Sequence, residues 1–161
     1  MSPSYASSLA TRRLFSVRWL QAAALAHFLV GLGLTWAGHS PLLNDYQLSI
    51  EQAFWGQAAP MPARNQQVWW QALFGATLQN YSLYMLGLIQ LGNRYRSHHA
   101  WAWLIAGIVL WAPQDALVSL QAGIWSHLII DGVALLVLIP PLLWLYRHDR
   151  PASTVKGLER G

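Results

Sequence analysis

Apolar residues run along this chain in long stretches without a formal charge, with Arg between those stretches and Trp at several of their ends. Between Arg18 and Asp45 there is no charged side chain, and Trp19 and Trp36 bracket a segment that would rise about 25 Å as a helix. This predicts a first membrane-spanning helix over residues 17–37. A second charge-free stretch lies between Arg64 and Arg94, and its central part predicts a span over 68–91, with Trp69 and Trp70 at one interface. The region from Ser97 to Tyr146 is too long for one crossing. Dividing it at Gln121 to Gly123 gives spans over 101–120 and 124–146, the latter with Trp125 and Trp144 about 28 Å apart along the helix. Pro113 interrupts the third span, and Pro140 with Pro141 the fourth.

The loop after the first span has its own pattern. Ser40 suits a helix cap, Pro41 a first helical position and Gly56 a stop, while Leu42, Leu43, Tyr46, Ile50 and Phe54 recur at helical spacing. Asp45, Gln47, Ser49, Glu51 and Gln52 fall between them, so residues 41–55 are expected to form an amphipathic helix that lies in the membrane interface or folds as a lid over the bundle. Residues 1–12 and 151–161 read as disordered tails. The predicted fold is an all-α integral membrane protein: a four-transmembrane-helix antiparallel bundle, one domain over 1–161, with an amphipathic helix in the first outer loop.

Composition strengthens this picture. Asp, Glu, Lys and Arg make up 10% of the 161 residues, where soluble proteins carry about 25%. Ten Trp residues suit two membrane interfaces, and the absence of Cys excludes disulfides, thiol redox chemistry and thiolate metal sites. Of ten cations, nine fall on one side of the predicted spans: Arg12, Arg13 and Arg18 before the first, Arg94 and Arg96 after the second, Arg147, Arg150, Lys156 and Arg160 after the fourth. Only Arg64 lies opposite. The positive-inside rule then places both termini in the cytoplasm of a bacterial inner membrane, in multi-pass topology. The net charge of +4 reads as a topological signal and an attraction to anionic headgroups, with no nucleic-acid partner implied. Thr11-Arg12-Arg13-Leu14-Phe15 resembles the start of a twin-arginine export signal, but three later apolar spans suit an uncleaved anchor.

Polar side chains inside the spans carry the functional information, because each is costly in hydrocarbon unless paired. His27 falls near the middle of the first span and Gln79 at or below mid-depth in the second; Gln71, Asp115, His127 and Asp131 fall in the outer half. His127 and Asp131 are four residues apart, hence on one helix face, and Asp115 approaches them across a tight turn. His27, Gln71, Gln79, Asp115, His127 and Asp131 are therefore the candidate ligand-binding residues. Several readings compete: a structural tie between the last two spans, a pocket for a cationic or hydroxylated lipid-like molecule beneath the lid, and acid–base or metal chemistry by Asp115, His127 and Asp131. No catalytic residue, metal ligand or cofactor is assigned. A further reading is a non-catalytic accessory subunit, or a homo-oligomer, that uses Gly31, Gly33 and the Ala22 to Ala26 surface of the first span to dock another membrane protein.

The span pattern, with both ends inside and a long first outer loop, resembles small bundle families such as the DoxX-like and EXPERA-type membrane proteins, and Val68-Trp69-Trp70-Gln71-Ala72-Leu73-Phe74 is similar to the start of an EXPERA second helix. That family's acidic positions in the first two spans are occupied by His27 and Gln79, so the resemblance implies topology and not sterol isomerisation. The chain is also similar to small four-span bacterial inner-membrane proteins bearing Ala53-Phe54-Trp55-Gly56, Trp69-Trp70, Trp111-Ala112-Pro113-Gln114-Asp115 and His127 with Asp131.

Overall fold

The structure is a computed structural model that describes residues 3–151, and every regular element among them is helical. In chain order these are α1 (Pro3–Trp36), a single 3-10 turn (Pro41–Leu43), α2 (Asn44–Trp55), α3 (Met61–Tyr95), α4 (His98–Gln121) and α5 (Trp125–His148). The signals in the loop act as expected. The Ser40 hydroxyl accepts from the Leu42 N–H at 3.3 Å, and Gly56, at φ 65°, ends α2 with its N–H donating to the Gln52 carbonyl. The division near 121–123 also holds. Gly123 adopts φ 71°, and the Gly123 and Ile124 N–H groups donate back to the Leu120 and Ser119 carbonyls.

One expectation fails. Residues 3–12 are the opening turns of α1 and not a disordered tail. Their helix continues because the next turns have something to bind: Arg13, Ser16 and Val17 are buried against the other helices. The second expected tail, 151–161, lies outside the described residues except for Pro151.

Three helical segments are long and apolar enough to cross a membrane: Ser7–Trp36, His98–Gln121 and Trp125–His148. α3 has the length, at 35 residues, but carries more polar side chains, among them Arg64, Gln67, Gln71, Gln79 and Asn80. In the assembled molecule α1 packs on α3 and α5, and α4 packs on the same two, so the long helices close into a ring. Val17, Leu20 and Ala24 of α1, Met85 and Ile89 of α3, Trp101, Leu104 and Ile108 of α4, and Leu138, Leu142 and Leu145 of α5 fill its interior. The exterior is apolar too: Leu29, Val30, Trp103, Leu110, Ile129 and Leu136 all face outward. Helices apolar on every side are those of a large core or of a membrane, and a ring this thin offers no large core.

α1 and α3 approach most closely at a pair of glycines. A Cβ on Gly31 would lie 2.7 Å from the Gly75 carbonyl oxygen, and one on Gly75 would lie 2.6 Å from the Gly31 oxygen. The small-residue surface of α1 is thus used, at Gly31, inside the molecule. Thr35 donates to the Gly31 and Ala72 carbonyls at 2.8 and 3.3 Å, and the Gln79 amide donates to the Thr35 hydroxyl at 2.9 Å. α1 meets α5 through a different device. Pro141 has no N–H to offer the carbonyl four residues back, that of Val137, and the Trp19 indole N–H donates to this oxygen at 3.0 Å.

The end of the ring that carries the start of α1 and the end of α5 is tied by Asp149, the C-cap of α5, whose side chain is 1% exposed. Arg13 donates to both its oxygens, Nε to Oδ1 at 3.1 Å and Nη2 to Oδ2 at 3.0 Å, and the Trp101 indole donates to Oδ2 at 3.0 Å. Arg13 also donates to the Asn93 side-chain oxygen at 2.7 Å and to its carbonyl at 3.3 Å. Trp101 reaches this place because Gly92 leaves room: a Cβ there would lie 2.7 Å from the indole ring. Burial pushes the Asp149 carboxyl upward, but the Arg13 and Trp101 hydrogen bonds and the charges of Arg13 and Arg96 outweigh it and hold the group below its ordinary value.

Two outcomes follow from this packing. Gly31→Ala forces the α1 and α3 backbones apart and lowers stability by about 1–3 kcal/mol, read as a lower thermal midpoint in detergent. Since the Asp149 pKa is lower folded than unfolded, its contribution is full above the unfolded value of about 3.9 and is lost as pH falls through the folded one. Asp149→Asn should leave Arg13 buried without its counter-charge, costing about 3 kcal/mol or more at neutral pH, and should flatten that acid limb in a pH series of melting curves.

Candidate functional site

At the opposite end of the ring α2 lies as a lid, held by side chains. Its burial does not divide by polarity: Gln47 and Glu51 are the most buried residues of the helix, Tyr46 and Ile50 are half-buried, and Phe54 is exposed. The reason is the polar start of α3. Gln47 Nε2 donates to the Gly38 carbonyl at 2.7 Å and to Gln71 Oε1 at 3.1 Å, and its Oε1 accepts from Arg64 at 2.9 Å. Glu51 accepts from the Ala59 N–H at 2.9 Å and faces the Arg64 guanidinium at 3.5 Å. Arg64, the one cation on its side of the sequence pattern, is there to neutralise a buried carboxylate. Ser49 completes the attachment through a 2.9 Å hydroxyl contact with Ser126, in the first turn of α5.

Beneath the lid the α4–α5 turn brings three of the predicted residues together. His127 Nε2 stands 3.4 Å from Asp115 Oδ2 and 3.9 Å from Asp131 Oδ1. The group is graded in depth: the Asp131 side chain is 8% exposed, those of Asp115 and His127 23% and 25%. Asp131 Oδ2 is buried and accepts no hydrogen bond. The Tyr46 ring of α2 lies 6.5 Å from the His127 ring, centroid to centroid. Burial raises the Tyr46 phenol above its ordinary pKa, and the charges of Asp115 and Asp131 raise it further, so it stays a neutral hydroxyl beside the cluster. A shallow depression of about 420 Å³ opens alongside, lined by Leu110, Trp111, Gln114, Asp115 and Val118 of α4.

The other three candidates are elsewhere. Gln71 belongs to the lid attachment, Gln79 to the Thr35 contact between α1 and α3, and His27 donates through Nδ1 to the Ala23 carbonyl at 2.7 Å within its own helix. Sequence reasoning missed Tyr46 and Ser49 as neighbours of the cluster, and Glu51 with Arg64 as an ion pair. The signal was present in Arg64, whose isolation from the other cations asked for a local partner.

No protein-family model, no curated protein and no solved structure matches the chain. The likeness to DoxX-like and EXPERA-type proteins therefore rests on the sequence pattern alone.

The lid's dependence on one ion pair is measurable. Arg64→Met leaves Glu51 buried without its cation, so α2 should exchange amide hydrogens at least about tenfold faster, while α4 and α5 exchange as before.

Proposed function

We propose that the protein is a four-span antiparallel bundle of a bacterial inner membrane, with both termini in the cytoplasm, that receives the polar head of a small lipid-like molecule beneath α2. For the fourth crossing, α3 is long enough, lies along α1, and has its mid-helix Gln79 amide answered by Thr35 and its Gln71 side-chain oxygen by Gln47. Asn80, exposed on the outside of α3, is left to lipid or to a partner helix, the one observation that favours the accessory-subunit or homo-oligomer reading.

The binding reading is carried by Asp131 Oδ2, a buried acceptor without a donor, set beside Asp115 and His127 where both are open to the outside. Three other buried side-chain atoms among the described residues lack a hydrogen-bond partner, Glu51 Oε1, Gln67 Oε1 and Gln71 Nε2, all where α2 meets the start of α3; Asp131 Oδ2 is the one that lies at the α4–α5 turn. A cationic or hydroxylated head supplies the missing donor, and its chain runs along Leu110, Trp111 and Val118. The lid fits the same role, since hydrogen bonds of side chains, and not close backbone packing, hold it over the site.

Native mass spectrometry of gently extracted protein tests this. Wild-type protein is expected to carry a bound amphiphile, and Asp115→Asn to lose it while accumulating to the wild-type level and melting with wild type from which the amphiphile has been removed. If Asp115→Asn and Asp131→Asn both fail to accumulate, the cluster is a structural tie and the reading is wrong.

A further inference from the structure

Asp115, His127 and Asp131 each present one donor atom to a common point, two carboxylate oxygens and an imidazole nitrogen, all within 4.8 Å of one another. The arrangement is short of positive charge. His127 Nε2 is a single nitrogen standing between both carboxylates, at 3.4 and 3.9 Å, and can donate one hydrogen bond at most. Among the described residues the nearest basic group on the lid, Arg64, is committed to Glu51, Gln47 and Asn44. Asp131 is 6% exposed as a residue, and its Oδ2 has no donor. Two carboxylates and one imidazole converging on a partly dry point, one oxygen unanswered, make a donor set lacking its cation.

We propose that these three side chains bind a divalent transition-metal ion. The inference rests on the reading of the cluster as a binding centre and names its occupant. Zinc bonds of about 2.0–2.2 Å in tetrahedral geometry set neighbouring donor atoms about 3.3–3.6 Å apart. His127 Nε2 and Asp115 Oδ2 already stand at 3.4 Å, Asp131 Oδ1 lies 3.9 Å from the same nitrogen, and since the three donor atoms lie within 4.8 Å of one another, closing the shell takes a side-chain movement of at most about 1 Å. A mixed imidazole and carboxylate set selects Zn²⁺ or Mn²⁺ over the all-oxygen sites of Ca²⁺ and Mg²⁺. Three protein ligands leave a coordination position on the exposed side of Asp115 and His127, below Tyr46, where an oxygen donor from a hydroxylated head completes the shell. The depth of Asp131 orients the ion: it forms the floor, and the two more exposed ligands form the rim.

The full chain in mild detergent, stripped with a chelator, is dialysed against Zn²⁺ or Mn²⁺, and bound metal is counted by elemental mass spectrometry and, for Mn²⁺, by electron paramagnetic resonance. One ion per chain is expected, with affinity reduced at least about 100-fold in His127→Gln and Asp115→Asn, both chosen because their side chains are partly exposed. The metal-free variants should melt with metal-free wild type, and added Zn²⁺ should raise the wild-type midpoint alone. Absence of stoichiometric metal in wild type, or equal binding by the variants, overturns the inference. Native mass spectra of the protein after dialysis against Zn²⁺ separate the two readings. Amphiphile retained with no metal bound overturns the metal site and keeps the pocket; neither bound overturns both; metal bound without amphiphile keeps the site and ends the lipid reading.

Discussion

The bidentate contact between Arg13 and Asp149 joins the first helix to the end of the last, and the rest of the ring is arranged around it. Each of the four long helices contributes: Arg13 from α1, Asn93 from α3, Trp101 from α4, and Asp149 capping α5. Arginine suits the place because its planar fork meets both carboxylate oxygens and still has donors for Asn93. A lysine would offer a point charge and lose the geometry. Such a pair is poor at adding net stability relative to an apolar core, yet it is specific: only one registration of α1 against α5 satisfies both charges. The apolar core of Val17, Leu20, Met85, Ile89, Trp101, Leu142 and Leu145 sits close by, so the registered end is also the densely filled one.

The other end is built on different terms. There the helices meet through glycine backbones and amides, and the cover is a short helix attached by Gln47, Glu51 and Ser49. A tight end and a loosely covered end suit a bundle that is anchored at one side and admits a ligand at the other. The cluster of Asp115, His127 and Asp131 occupies the covered end, at the turn between two adjacent helices that a short connection forces together.

Much of this was legible beforehand, for identifiable reasons. The helix boundaries at Ser40, Gly56 and Gln121 follow from local chemistry, capping and left-handed glycine, which acts within a few residues. The Asp115, His127 and Asp131 group was readable because helical spacing and a tight turn bring the three together with no knowledge of other helices. What could not be read depended on contacts distant in the chain. Residues 3–12 lack the apolar pattern of a span and are helical because Arg13, further along, finds Asp149. The burial of Gln47 and Glu51 on α2 could not be read, since only the assembled molecule sets Arg64, Gln67 and Gln71 beneath them. His27 and Gln79 were grouped with the outer cluster by polarity alone, and each is answered locally or by a neighbouring helix.

The indole of Trp19 has a bearing on how the molecule comes together. Pro141 leaves the Val137 oxygen without a donor from its own helix, and in hydrocarbon an unfilled carbonyl is expensive. At this carbonyl α5 is therefore incomplete by itself and is completed by a group from α1. The contact that fills the gap thus also selects the neighbour: of the helices around α5, α1 is the one that brings an indole N–H to the Val137 oxygen.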